Sequence, residues 1–133
     1  MKPTKVLIIG DDPARYESAF GIDGFQLRTA PSAGRGFAIL QMFKADVVVL
    51  DLSRAMDLAL TWLAAARQLP GFERLPVIVV TSAADGSAEY EAAMAFGARS
   101  VLSRKLWAPA SLVASVRWAA KHRGVAALDR VAA

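Results

Sequence analysis

Three short apolar runs stand at wide intervals along the chain: Val6-Leu7-Ile8-Ile9, Val47-Val48-Val49-Leu50 and Val77-Ile78-Val79-Val80. Each is rich in β-branched residues and nearly continuous, the pattern of a strand covered on both faces. They predict strands over Lys5–Ile9, Asp46–Leu50 and Val77–Val80, the last finishing in Thr81-Ser82. Two weaker runs, Phe25–Thr29 and Arg99–Ser103, predict two more. Helix signals fill the intervals. Asp12-Pro13 reads as an N-cap followed by proline at the first helical position, opening a short helix toward Phe20 that Gly21 and Gly24 break. Pro31 starts a second helix to about Phe43, with an apolar stripe around Phe37, Leu40 and Met42 and a start weakened by Gly34 and Gly36. A third covers Asp57–Gln68 and is ended by Pro70-Gly71. Ser87 caps a fourth, which ends at Phe96-Gly97 with Gly97 just past its C-terminus. Pro109 starts the last, about Ala110–His122, and Gly124 ends it.

Strand and helix therefore alternate five times, which signals an α/β domain with a parallel sheet. Right-handed crossovers then give a doubly wound sheet, and strand order 2-1-3-4-5 would put strands 1 and 3 side by side, with the chain reversing direction between them. Residues 1–123 form one domain in this reading, and 124–133 are a C-terminal tail.

Composition narrows the class. The 133 residues suit a single domain, and 55% hydrophobic content is ample for a core. No apolar run approaches the roughly 20 residues that span a bilayer, and the N-terminus lacks the apolar stretch and cleavage site of a secretory signal. With no cysteine there is no disulfide, thiolate metal site or cysteine nucleophile. These features point to the cytoplasm. The net charge of +4 is uneven: from Arg99 onward seven basic residues stand against Asp129 alone. Such a stretch suits an anionic partner or a solvated helix face. With no nucleic-acid-binding signature beside it, neither direct nucleic-acid binding nor a membrane role is expected.

The candidate chemistry lies at strand ends. In open α/β sheets, ligands bind at the carboxyl ends of the strands, where the strand order reverses. Asp51 follows the third strand, and Asp11-Asp12 follow the first. The three carboxylates would meet in one acidic pocket able to attract a divalent cation. A carboxylate there also has a structural reading as a loop or capping residue, the stronger one for Asp12 before Pro13. A small enzyme on the same topology is disfavoured, because Gly10-Asp11-Asp12-Pro13 is no phosphate cradle and the chain has neither GxGxxG nor a P-loop.

Taken together, Val6–Pro13, Val47–Leu52, Pro76–Ser82, Gly97-Ala98 followed by Arg104-Lys105, and Pro109 resemble the receiver domain of two-component response regulators, over nearly the whole length from Lys5 to about His122. The resemblance implies a flavodoxin-like fold and a stand-alone signalling domain rather than an enzyme. It implies that Asp51 accepts a phosphoryl group from a sensor histidine kinase or phosphotransfer protein, with Mg²⁺ as cofactor. Asp11 would be a direct ligand of the ion. The family's other acid falls on Gly10 when the chains are aligned on Pro13, unless Asp12 substitutes. Thr81 matches the hydroxyl position. The family's lysine falls on Arg104, with Lys105 next, and its aromatic switch position falls on Val101, which reads as plain core. The loop Ser53-Arg54-Ala55-Met56-Asp57-Leu58 lacks the usual proline and glycine. These departures support an alternative, a pseudo-receiver that acts as an interaction module without phosphorylation. On the last helix, Trp118 lies roughly 160° from the face shared by Leu112, Val116 and Ala119. It is therefore expected on a surface for a downstream partner or homodimer, or packed on Trp107 or the tail. His122 suits the negative end of the helix dipole.

Overall fold

A computed structural model of the chain describes residues 2–10, 12, 14–21, 24–52, 55–82, 87–103 and 109–123. The apolar runs form the strands β1 (Thr4–Gly10), β2 (Phe25–Ala30), β3 (Val47–Asp51), β4 (Val77–Thr81) and β5 (Ser100–Ser103). Between and after them run α1 (Ala14–Glu17), α2 (Ala33–Phe43), α3 (Met56–Gln68), α4 (Ala88–Ala95) and α5 (Pro109–Lys121). All pairings are parallel, as the alternation predicted, and the order is β2-β1-β3-β4-β5.

Side-chain alternation along each strand builds two cores. Val6 and Ile8 of β1, Val47 and Val49 of β3, and Ile78 and Val80 of β4 face one side. There they meet Tyr16 and Phe20 from the first helical segment and Leu112, Val113, Val116 and Ala119 of α5. Leu7, Ile9, Val48, Leu50, Val77 and Val79 face the other side, against Leu40, Trp62, Leu63 and Ala93 of α2, α3 and α4. Both faces are covered, so the central strands tolerate no polar residue until they end. Val101, which the sequence reading took as plain core, is buried in the second core.

Local chemistry accounts for the helix boundaries. Ser32 rather than Pro31 is the N-cap of α2, its hydroxyl accepting from the Arg35 amide. Ser87 caps α4 by accepting from the Tyr90 amide. Gly97 has φ +99°, and the amides of Gly97 and Ala98 bond back to Met94 and Ala93, the left-handed termination that glycine favours. The first helix is shorter than its sequence suggests. Beyond Glu17 the Ala19 amide reaches the carbonyl of Tyr16, three residues back, so the segment tightens into a turn that still buries Ala19 and Phe20. The predicted end of α5 at Gly124 and the tail lie outside the described residues.

Candidate functional site

β1 and β3 are the two strands between which the chain reverses direction, and their register sets Gly10 opposite Asp51. β3 and β4 run on with Leu50 opposite Val79, so Asp51 and Thr81 end neighbouring strands at the same sheet edge. Thr81 in turn lies opposite Ser103, the last residue of β5. Three neighbouring strands thus finish in polar side chains at one edge, two of them, β3 and β4, apolar up to that last residue. Asp51 is only 4% exposed, and Thr81 and Ser103 are also buried. A carboxylate held out of water in this way needs partners.

Asp51 has one that the sequence reading missed. The phenol of Tyr16, fully buried in α1, donates a hydrogen bond to Asp51 Oδ2. The pleat explains the meeting. Asp51 points to the same sheet face as Val49, and that face packs against α1 and α5. A readable signal was present: Tyr16, Ala19 and Phe20 have the i, i+3, i+4 spacing of a core-facing stripe. A buried tyrosine at the start of such a stripe carries its hydroxyl toward the sheet edge and requires a partner. Thr81, one pleat out of phase, leans the other way, and its hydroxyl donates to Glu89 Oε2 of α4 at 3.4 Å.

Gly10 is a steric feature as much as a missing acid. A Cβ built there would lie 2.9 Å from the Asp51 carbonyl oxygen and 3.3 Å from its Cβ, closer than real side chains approach backbone. β1 therefore passes Asp51 at a distance that only glycine permits.

The remaining sequence-predicted residues divide. Asp12 is described and exposed, and its carbonyl accepts from the Arg15 amide at 3.3 Å ahead of α1. Asp11, Arg104, Lys105 and the loop residues Ser53 and Arg54 lie outside the described residues. Among the described residues no group of three or more His, Cys, Asp or Glu side chains is placed to hold a metal ion. Mg²⁺ is commonly held through one or two carboxylates completed by water and phosphate oxygens. Asp51 is one carboxylate of the type such an ion takes, and its Oδ2 carries the Tyr16 phenol.

No protein-family model matches the chain, and no curated protein matches it in sequence. Solved structures do. A candidate response regulator from Chloroflexus aurantiacus superposes with a TM-score of 0.77 at 24% identity, over 91% of this chain and 100% of that one. A response regulator from Thermotoga maritima gives 0.76 at 18%, over 91% and 99%. The chemotaxis response regulator CheY4 of Vibrio cholerae gives 0.75 at 20%, over 88% and 98%. At such identities the likeness is one of architecture, and with the strand order it shows that this chain has the flavodoxin-like fold of response-regulator receiver domains.

Proposed function

We propose that the protein is a receiver that takes a phosphoryl group on Asp51 from the phosphohistidine of a sensor kinase or phosphotransfer protein in the cytoplasm. The observation that carries this reading is the position of Asp51: a buried carboxylate at the carboxyl end of the central strand β3, beside the strand that ends in Thr81. In the transfer, an Asp51 carboxylate oxygen forms the new bond to phosphorus as the phosphorus–nitrogen bond of phosphohistidine breaks. The imidazole nitrogen keeps the electron pair and takes up a proton from solvent.

Such a step depends mostly on positioning and charge neutralisation. Mg²⁺, held by Asp51 with Asp11 and either Asp12 or water, would supply neutralising charge. Thr81 is the hydroxyl donor for a phosphoryl oxygen, and turning toward it would release Glu89 at the start of α4. Arg104, or Lys105 beside it, is the cation for a second oxygen. Arginine's planar fork is no neutral replacement for lysine there. The signal would leave through α4 and α5, where Trp118, 37% exposed and stacked on His122 with ring centroids 4.0 Å apart, offers an aromatic surface to a partner or second copy.

A second reading has its own support. Gly10 brings no charge opposite Asp51, and Tyr16 already satisfies one of its oxygens. A pseudo-receiver that binds partners without phosphorylation would tolerate both. Incubation with phosphoramidate and Mg²⁺, read by intact mass, separates the two. One added phosphate that is absent from Asp51→Asn supports the receiver. An unmodified wild-type chain under saturating donor, with self-association and partner binding unchanged in Asp51→Asn, supports the module.

A further inference from the structure

The geometry points to Tyr16 as a positioning residue that competes with metal and phosphoryl ligands for Asp51, an inference that rests on the receiver reading. Tyr16 is anchored rather than mobile. It is fully buried, and its ring belongs to the core that includes Ile8, Phe20, Val49 and Leu112. Its hydroxyl donates to Oδ2 of a carboxylate that is itself buried. A donor bond to an ionised acceptor is among the stronger hydrogen bonds, more so away from water. It ties up a lone pair on the atom that a metal ion or phosphorus would address. A ligand that needs that lone pair must displace the phenol and break a buried hydrogen bond, which costs free energy.

The neighbourhood makes this competition one-sided. Two adjacent carboxylates repel, and that repulsion favours a cation between them. Opposite Asp51 in the register stands Gly10, which has no charge to add and no room for a side chain. One Oδ2 lone pair of Asp51 is instead taken by a neutral donor built into the first helix. The phenol holds the carboxylate oriented in the absence of metal, and the domain binds Mg²⁺ more weakly than the carboxylate alone would.

The full chain and Tyr16→Phe, which keeps the ring and loses only the hydroxyl, would be titrated with Mg²⁺ by tryptophan fluorescence and by thermal midpoint. Tyr16→Phe is expected to bind Mg²⁺ about tenfold more tightly, equivalent to about 1.4 kcal/mol, and to form the phosphoramidate adduct faster. Asp51→Asn should abolish the ion response in both backgrounds. A second variant, Tyr16→Met, removes the hydroxyl with a flexible apolar side chain and should tighten Mg²⁺ binding in the same sense if the Phe variant melts poorly. A merely structural tyrosine would lower the melting temperature and leave the affinity alone. Equal affinities in wild type and Tyr16→Phe, lost in Asp51→Asn, overturn the role of Tyr16 and leave the receiver reading standing. Tighter Mg²⁺ binding in Tyr16→Phe with no adduct keeps Tyr16 as the competitor and overturns phosphorylation. No ion response and no adduct in any variant overturn both.

Discussion

Gly34 and Gly36 belong to the same helix and answer to opposite constraints. A Cβ at Gly34 meets nothing within 4 Å, whereas one at Gly36 lies 2.4 Å from Ile9 Cδ1 and 3.0 Å from Ile9 Cγ1. Gly34→Ala should stabilise the protein by about 0.5–1 kcal/mol, the entropic cost of glycine in a helix. At Gly36 the same gain is opposed by overpacking against fully buried Ile9, which costs about 1–3 kcal/mol. Overpacking wins, so Gly36→Ala should be destabilising. In an Ile9→Val background, which lacks Cδ1 and keeps only the 3.0 Å contact to Cγ1, it should be clearly less destabilising. Urea denaturation of the four proteins tests this, and a Gly36→Ala loss that Ile9→Val does not relieve would refute it. From sequence alone both glycines merely weakened a helix start. Which of them allows α2 to lie on β1 depends on a helix–strand contact that no local pattern encodes. The same limit hid the steric role of Gly10, whereas Tyr16 was visible in principle from its spacing with Ala19 and Phe20.

At the scale of elements, strands were more legible than helix ends. A strand buried on both faces is a near-continuous apolar run, so β1, β3 and β4 stand out, while a helix end is decided by a few hydrogen bonds. The short α1 shows this, and so does the end of α5. There the buried guanidinium of Arg99, just before β5, donates to the carbonyls of His122 at 2.6 Å and Arg123 at 3.0 Å. In sequence Arg99 counted toward the basic stretch and as the first residue of the fifth strand. In the fold it is a cation at the negative end of a helix, satisfying carbonyls that the helix leaves open. Arg67, in the last turn of α3, ties down carbonyls outside its own helix, donating to Leu75 O at 2.6 Å before β4 and to Gly97 O at 2.7 Å just past α4. Burial lowers its pKa, yet it remains a cation at neutral pH. Arg99→Met keeps most of the apolar stem and removes both bonds. It should cost about 2–3 kcal/mol and speed amide exchange over Trp118–Arg123 more than elsewhere. Uniform acceleration across the chain would mean that Arg99 supports the core rather than the helix end.

At the scale of the whole molecule, alternation and handedness gave a doubly wound parallel sheet, the flavodoxin-like resemblance gave its strand order, and that order decides where rigidity lies. β1 is paired on both sides, with β2 and β3, and β3 likewise with β1 and β4. Val6–Ile9 and Val47–Leu50 are completely shielded from solvent, whereas β2 exposes Gln26 and Arg28 along an open edge. An edge strand can open with one neighbour and one set of side chains. A central strand opens only when both cores are lost, so its amides report global unfolding. Hydrogen exchange should therefore be slowest in Val6–Ile9 and Val47–Leu50, with Phe25–Ala30 exchanging earlier. Gly10 and Asp51 end the two slowest strands, so a ligand on Asp51 meets a backbone that cannot yield. Its effect has to pass to an element tied on more loosely. A long hydrogen bond from Thr81 to Glu89 links the site's edge to such an element, α4, a helix that buries only Ala93. Adding Mg²⁺ and phosphodonor should change protection across Ala88–Ala95 and leave Val47–Leu50 unaltered. A change confined to β3, or β2 amides as slow as those of β1, would show that the rigid and responsive parts of this fold are distributed in some other way.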